Sequence, residues 1–298
     1  MMKTLTVFTP AYNRAHTLVR TYESLCRQTC NDFEWLIVDD GSTDNTEEVV
    51  KPWLEEQKIS VRYIKKENGG LHTGYTTAFA NIDSELNVCI DSDDYMPDDA
   101  VEIIVKTWAE RGRGHDEIAG IIGLDYIIAG DALGGFFPTT KNARYCEITT
   151  WHKGDIKIVC RTDILKKLPP MPVFKGEKNF NPTYYYKQVD LKRSFIIINE
   201  NLCWVDYQVD GMSSQIFYQY RNSPNSFAQF RRLSMTMPFY TRTYRWKNVI
   251  HYVSSCIFAG QWDMVKTSPY PWATIAAFIP GFLLNLYVRY KTPNFKGK

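Results

Sequence analysis

Phe33-Glu34-Trp35-Leu36-Ile37-Val38-Asp39-Asp40-Gly41-Ser42-Thr43-Asp44 is the stretch that decides the fold. Its first six residues form a nearly continuous apolar run, the signature of a strand buried on both faces of a parallel sheet. The run stops abruptly at two acids and a glycine. A helix is then predicted from about Asp44 to Gln57, with Asp, Ser and Thr at its start, where they accept from free backbone N–H groups.

The same alternation extends outward on both sides. Upstream, Thr4–Thr9 is a short strand ending at Pro10, and Leu18, Tyr22 and Leu25 give helical spacing over 15–28. Downstream come a strand at Val61–Ile64, a loop at Asn68-Gly69-Gly70, a helix over 73–82 and a strand at Leu86–Ile90. That strand ends in Asp91-Ser92-Asp93-Asp94, and Pro97-Asp98-Asp99 opens a helix to about Arg111, with proline and acids where a helix start favours them. Repeated β-α units imply an α/β fold with helices on both faces of a mostly parallel sheet. Right-handed crossovers place the strand C-termini on one edge, where open α/β sheets bind ligands. Two separated acidic clusters, Asp39-Asp40 and Asp91–Asp94, are thus expected at one crevice. After residue 115 the alternation weakens. Ile118–Leu124 and Ile156–Cys160 read as strands and Phe195–Asn199 with Leu202–Tyr207 as a pair, giving a mixed, partly antiparallel second half.

The chain has 298 residues and a formal net charge of +2. From Arg231 to Lys298 ten Lys or Arg face one acid, Asp263, a net +9 that leaves −7 for residues 1–230. Hydrophobic content of 44% excludes wholesale disorder. The N-terminus reads as a first strand, not a signal peptide. Seven scattered cysteines without a C-x-x-C pair point to neither a disulfide framework nor a zinc site, and fit a reducing cytoplasm.

Carboxylates on a turn at a strand end suit Mg²⁺ or Mn²⁺, which such sites hold with one or two acids plus substrate phosphates. The residues leave open a plainer role, in which Asp91–Asp94 caps the helix near Pro97. Asp39-Asp40 has a similar capping alternative, although one cap does not account for two adjacent acids. A carboxylate there can also accept the imide N–H of uracil.

Phe8-Thr9-Pro10-Ala11-Tyr12-Asn13-Arg14, Gln28-Thr29, Phe33–Asp44, Asn68-Gly69-Gly70 and Ile90–Asp94 occur in that order. Together they resemble the inverting family 2 glycosyltransferases of GT-A fold. The likeness is strong over roughly the first hundred residues and weaker through Gly176-Glu177-Lys178 and Asp206–Ser213. It implies a GT-A catalytic domain over 1–225, with a nucleotide-binding half to about 115 and an acceptor half over 116–225, followed by a basic, aromatic helical extension over 226–298. By position, Pro10, Ala11 and Tyr12 would line the nucleotide pocket. Asp40 would contact uracil with Asp39 supporting the turn, and Gly69 and Gly70 would let the backbone pass close to the nucleotide. Asp91 and Ser92 would lie near ribose and sugar, and Asp93 would be the metal ligand. Leu71-His72 and Thr76 depart from the Lys and Asn that many members carry.

The implied reaction moves a sugar from a nucleotide donor, a UDP-sugar, to a glycan or lipid-linked acceptor, with Mn²⁺ or Mg²⁺ assisting the diphosphate. It needs a carboxylate base. Glu177 is the first candidate; Asp206 and Asp210 follow. Two other readings are a non-catalytic nucleotide-sugar-binding scaffold subunit and a sugar-phosphate nucleotidyltransferase. Pro10–Arg14 offers the latter little of the Gly-rich, basic loop a triphosphate wants.

Residues 272–288, WATIAAFIPGFLLNLYV, are apolar but broken by Pro280-Gly281 and Asn285. Aromatic residues beside Arg289 and Lys291 suit a helix lying in a membrane interface. The expectation is peripheral attachment to an anionic surface at the inner face of the cell membrane. A full membrane span, a buried terminal helix and an oligomer contact are the alternatives, and no nucleic-acid partner is expected.

Overall fold

A computed structural model describes residues 3–128, 130–206 and 215–295. The chain divides into two compact units, Met1–Pro169 with Gln188–Gln208, and Pro170–Lys187 with Val209–Lys298. In chain order the elements are β1 (Leu5–Ala11), α1 (Ala15–Cys26), β2 (Phe33–Asp39), α2 (Thr46–Glu56), β3 (Val61–Lys65), α3 (Leu71–Asn81), β4 (Leu86–Cys89) and α4 (Ala100–Arg111). There follow β5 (Ile118–Ile127), α5 (Tyr145–Trp151), β6 (Ile156–Arg161), α6 (Thr162–Leu165), α7 (Thr183–Val189) and β7 (Ser194–Val205). Six helices complete the described chain: α8 (Ile216–Asn222), α9 (Pro224–Thr236), α10 (Arg242–Ala259), α11 (Met264–Thr267), α12 (Pro271–Ala276) and α13 (Phe278–Lys291).

The first unit is built on a seven-stranded sheet of order β3-β2-β1-β4-β6-β5-β7. β1 pairs in parallel with β2 and β4, and β2 with β3. Only β6 runs the other way, antiparallel to both β4 and β5, while β7 is parallel to β5. Six of these seven strands therefore end on one edge, and β6 begins there. The expected mixed α/β architecture holds.

Burial explains the apolar runs. Trp35 of β2 is fully buried, and its indole N–H donates to Thr9 Oγ1 at 2.9 Å, so the polar end of a large ring is satisfied inside. Tyr22 of α1 and Trp53 of α2 stack at 4.3 Å between centroids and Trp53 also meets Trp35 at 5.7 Å, joining both helices to the sheet. Such ring pairs contribute about 0.5–1.5 kcal/mol each beyond area burial.

One expectation is corrected. The expected strand pair, Phe195–Asn199 and Leu202–Tyr207, is one continuous strand, β7, with Tyr207 outside the described residues. The polar Asn199-Glu200-Asn201 interruption is a bulge, across which the β5 register shifts from Ile122↔Ile197 to Leu124↔Asn201. Asn199 leaves the ladder to exchange two hydrogen bonds with the Phe137 backbone, at 2.7 and 3.1 Å.

The second unit is helical. Its core gathers Ala228, Met235, Val249, Tyr252, Val253, Cys256, Met264 and Ala277. Gly281 sits where α13 crosses α10: a Cβ there would lie 2.6 Å from Val253 Cβ and 3.0 Å from the Ile250 carbonyl. Asn285 Nδ2 donates to the Ser254 carbonyl at 3.2 Å in the same contact. All seven cysteines are free.

Candidate active site

At the sheet edge, β1 and β2 end side by side, with Ala11 opposite Asp39. The two loops that follow are laced together. Asn13, in the left-handed region at φ 54°, accepts from Thr43 N–H at 2.8 Å through Oδ1, and its own N–H donates to Ser42 Oγ at 2.9 Å. Asp44 accepts from Ala15 N–H at 3.3 Å, at the start of α1, and from Thr46 N–H at 3.0 Å, at the start of α2. Burial by itself raises the Asp44 pKa, but these donors and the Thr46 hydroxyl outweigh it and hold the carboxyl below its ordinary value. This loop pair accounts physically for the Tyr12–Arg14 and Ser42–Asp44 motifs.

Asp39 and Asp40 are both buried. Asp39 Oδ1 accepts from Ser42 N–H at 2.7 Å and Oδ2 from the Tyr63 hydroxyl, and burial followed by that bond raises the Tyr63 pKa. Asp40 is 4% exposed. Its carboxylate accepts from Lys66 Nζ at 2.5 Å, Gly69 N–H at 3.0 Å, Gly70 N–H at 2.7 Å and Thr73 Oγ1 at 3.3 Å. Asp40 thus folds the Asn68–Gly70 loop around itself. Gly41 is required between them: its φ is +78°, and a Cβ would stand 2.9 Å from Asn68 N and 3.0 Å from the Lys66 carbonyl. Tyr12 is exposed beside this turn, whereas His72 is buried on α3.

The second acidic cluster follows β4. Asp91 is exposed, Asp93 half-buried, and Ser92 and Asp94 buried. Burial first, then the charge of Asp91, push the Asp93 carboxyl above its usual range. Asp94 faces inward, 4.0 Å from Lys157 Nζ, which also lies 3.7 Å from Asp125. Lys157 enters on β6, the reversed strand, and is a buried cation beneath the acidic turn. Burial raises the Asp94 and Asp125 pKa values against the opposing pull of Lys157.

One face of α1 and Gln28, just past its end, splint this turn. Arg20 Nη2 donates to the Asp93 carbonyl, Thr21 Oγ1 to the Asp94 carbonyl at 2.8 Å, and Gln28 Nε2 to the Pro97 carbonyl at 2.6 Å. Ser24 Oγ accepts from Met96 N–H at 3.2 Å and Gln28 Oε1 from Val101 N–H at 3.0 Å. The start of α4 is therefore met by Gln28, which gives the Gln28-Thr29 motif its role. Asp206, at the end of β7, closes the group: its N–H donates to Asp94 Oδ1 at 3.2 Å and its carboxylate pairs with Arg20 at 2.8 Å. Tyr95 and Trp204 exchange backbone hydrogen bonds at 3.1 and 2.8 Å alongside. The structure thus brings Asp91, Asp93, Asp94 and Asp206 together.

The structure does not join the other two base candidates to this group. Glu177 belongs to the second unit and is 6% exposed. It accepts from Asn225 N–H at 2.9 Å, Asn225 Nδ2 at 2.6 Å and Ser226 N–H at 2.7 Å, so it satisfies the first turn of α9. Asp210 is outside the described residues. Arg20, Thr21, Ser24 and Lys157 escaped the sequence reading. Their signals were faint: polar residues three and four apart on one helix face, and a single lysine inside the apolar run Ile156-Lys157-Ile158-Val159.

Among the described residues no three His, Cys, Asp or Glu side chains converge to hold a metal by themselves. Asp91 and Asp93 nonetheless offer hard oxygen donors at one turn. That donor set fits Mg²⁺ or Mn²⁺ completed by substrate phosphates.

The sequence model of the family described as Glycosyl transferase family 2 matches residues 6–116, which contain both acidic clusters. That stretch is similar to the family 2 glycosyltransferase domain. Of this chain, 102 residues are 38% identical to a chondroitin synthase of Pasteurella multocida, covering 34% of the chain and 10% of that protein. The chain thus spans about a tenth of that relative's length. Glycosyltransferase GlyG of Streptococcus pneumoniae is 25% identical over 218 residues, 68% of this chain and 70% of that one. Among solved structures, S. aureus TarS 1-349 in complex with UDP-GlcNAc superposes with a TM-score of 0.59 at 16% identity, covering 99% of this chain and 93% of that one. The mannosyltransferase PcManGT from Pyrobaculum calidifontis, in complex with GDP-Man and Mn²⁺, gives 0.56 at 15%, covering 96% and 88%. At such identities the two structures speak for the fold.

Proposed function

We propose that this protein is an inverting glycosyltransferase that moves a sugar from a UDP-sugar to a glycan or lipid-linked acceptor at a membrane face. The observation that carries the reading is the meeting of the Asp39–Gly41 turn, the Asp91–Asp94 turn and Asp206 on one sheet edge. UDP-GlcNAc bound by TarS and GDP-Man bound by PcManGT support a nucleotide-sugar donor, and the former supports the UDP choice.

In this reading the nucleoside lies against Pro10, Ala11 and the exposed ring of Tyr12. Asp39 and Asp40 shape that wall by folding the turn and the Gly69-Gly70 loop. Asp91 and Ser92 face ribose and sugar. Asp93, with Asp91, holds Mg²⁺ or Mn²⁺, which when bound offsets the charge of the departing diphosphate. Asp206 takes the base role. Its side chain is 39% exposed, so an acceptor hydroxyl can reach it. It removes the hydroxyl proton as that oxygen bonds to the anomeric carbon and the bond to the diphosphate breaks. Arg20 fixes the position of Asp206 relative to the Asp93 backbone.

The test is a panel of UDP- and GDP-sugars assayed for metal-dependent release of nucleoside diphosphate. One UDP-sugar turned over by the native chain and not by Asp93→Ala is expected. No release from any donor, with or without acceptor extracts, would overturn the reading.

A further inference from the structure

The last two helices are inside out. On a water-facing helix the large apolar side chains turn inward and the small or polar ones outward. Along α12 and α13 the buried positions are Thr274, Ala277, Gly281, Asn285, Val288 and Thr292, spaced three or four apart. The opposite stripe, at the same spacing, is Trp272, Ile275, Ile279, Leu283, Leu286 and Tyr290, and every one is exposed. Trp272 is 84%, Ile279 70% and Tyr290 78% exposed. The inward stripe is already partnered, through the Gly281 and Asn285 contacts with α10. On α13 alone the outward stripe, Ile279 to Tyr290, runs roughly 17 Å at 1.5 Å per residue.

We infer that this stripe is the lipid-embedding face of the protein, and that its partner is an anionic bilayer surface. The inference rests on the reading that the basic tail faces a membrane, and it names the side chains that enter. Among the described residues no helix is long and apolar enough to cross a membrane, so the helix lies in the interfacial plane. Trp272 and Tyr290 stand at its two ends, and aromatic rings favour the headgroup level. Charge selects the lipid over a second copy of the chain. No Asp or Glu occurs after Asp263. Arg289 and Lys291 flank the stripe on opposite sides, their cations over Phe258 and Tyr287. Two copies stacked in parallel would set these cations together, and in either orientation the tail after Asp263 offers them no acid. An anionic leaflet complements them.

Flotation of the full chain with vesicles tests the inference. Vesicles of equal parts phosphatidylcholine and phosphatidylglycerol should carry the protein up, more strongly than phosphatidylcholine alone and less so in high salt. Ile279→Glu with Leu283→Glu should weaken partition more than tenfold while UDP binding and the melting curve stay unchanged. If that double variant melts early, Trp272→Ser, at the most exposed position, reads the same loss. Equal flotation of native chain and variants would overturn the face while leaving the tether standing. No flotation of the native chain would remove tether and face together but leave donor turnover untouched. A native dimer that the double variant splits, without vesicle binding, would assign the stripe to a second copy and overturn the inference.

Discussion

Arg20 Nη1 donates to Asp206 Oδ2 at 2.8 Å. Through its other terminal nitrogen the same guanidinium holds the Asp93 carbonyl. A planar fork can make both contacts at once, and lysine cannot. Arg20→Met should therefore lower kcat by about 10²-fold, the usual cost of misplacing reacting groups by an ångström. Arg20→Lys should recover little of it. Steady-state kinetics would settle this, and a native kcat in Arg20→Met would remove the positioning role.

Asp206 and Glu177 make opposite predictions. Asp206→Asn should reduce turnover by about 10²–10⁴-fold, the range of a lost general base, while UDP binding persists. Glu177→Gln turns an NH₂ group toward donors that need an acceptor. It should cost about 1–3 kcal/mol of stability with turnover of the folded fraction retained. The reverse pattern, a stable but inactive Glu177→Gln, would return the base to the second unit.

Gly41 probes the wall formed by Asp39 and Asp40. Gly41→Ala places a Cβ against Asn68 and Lys66 at a φ that L-residues avoid. It should destabilise the chain by about 1–3 kcal/mol and raise the donor KM. Chemical denaturation and donor titration read both effects, and an unchanged KM would detach this turn from donor binding.

Acid should loosen the helical unit through His251. Burial first, then the charges of Arg231 and Lys247, hold its pKa down to about 3, against an ordinary 6.5. Above pH 6.5 it is neutral whether folded or unfolded and has no effect. As pH falls from 6.5 toward 3 the unfolded chain binds a proton that the folded chain refuses, so stability declines across that window. His251→Phe should flatten the decline in thermal midpoint. The same slope in both proteins would place the acid sensitivity elsewhere.

β1, β2 and β4 were legible as apolar-rich runs closed by turn residues, and β3, a half-buried edge strand, by its place in the alternation; burial marks Phe33–Val38 most clearly. The acidic turns were legible for the same reason, since they interrupt those runs. β7 was misread because Asn199 and Asn201 resemble a turn, while their actual role as a bulge depends on Phe137, far away in sequence. The resemblance implies that Asp40 contacts uracil, and its burial under the Asn68–Gly70 loop neither shows nor removes that contact. The occupation of Asp40 by Lys66, Gly69, Gly70 and Thr73 is a tertiary fact that no local pattern encodes. Lys157 was hidden similarly, because its partners Asp94 and Asp125 lie on other elements. The tail's apolar length was visible, but its inversion depends on which face meets α10.

The central claim is a metal-assisted nucleotide site at the Asp91–Asp94 turn. Titration calorimetry of the full chain with UDP, with and without Mn²⁺, tests it most directly, run in parallel on Asp93→Asn. UDP binding should strengthen with Mn²⁺ and lose at least about tenfold of that gain in the variant. UDP binding that ignores Mn²⁺ and is unaffected by Asp93→Asn would contradict it.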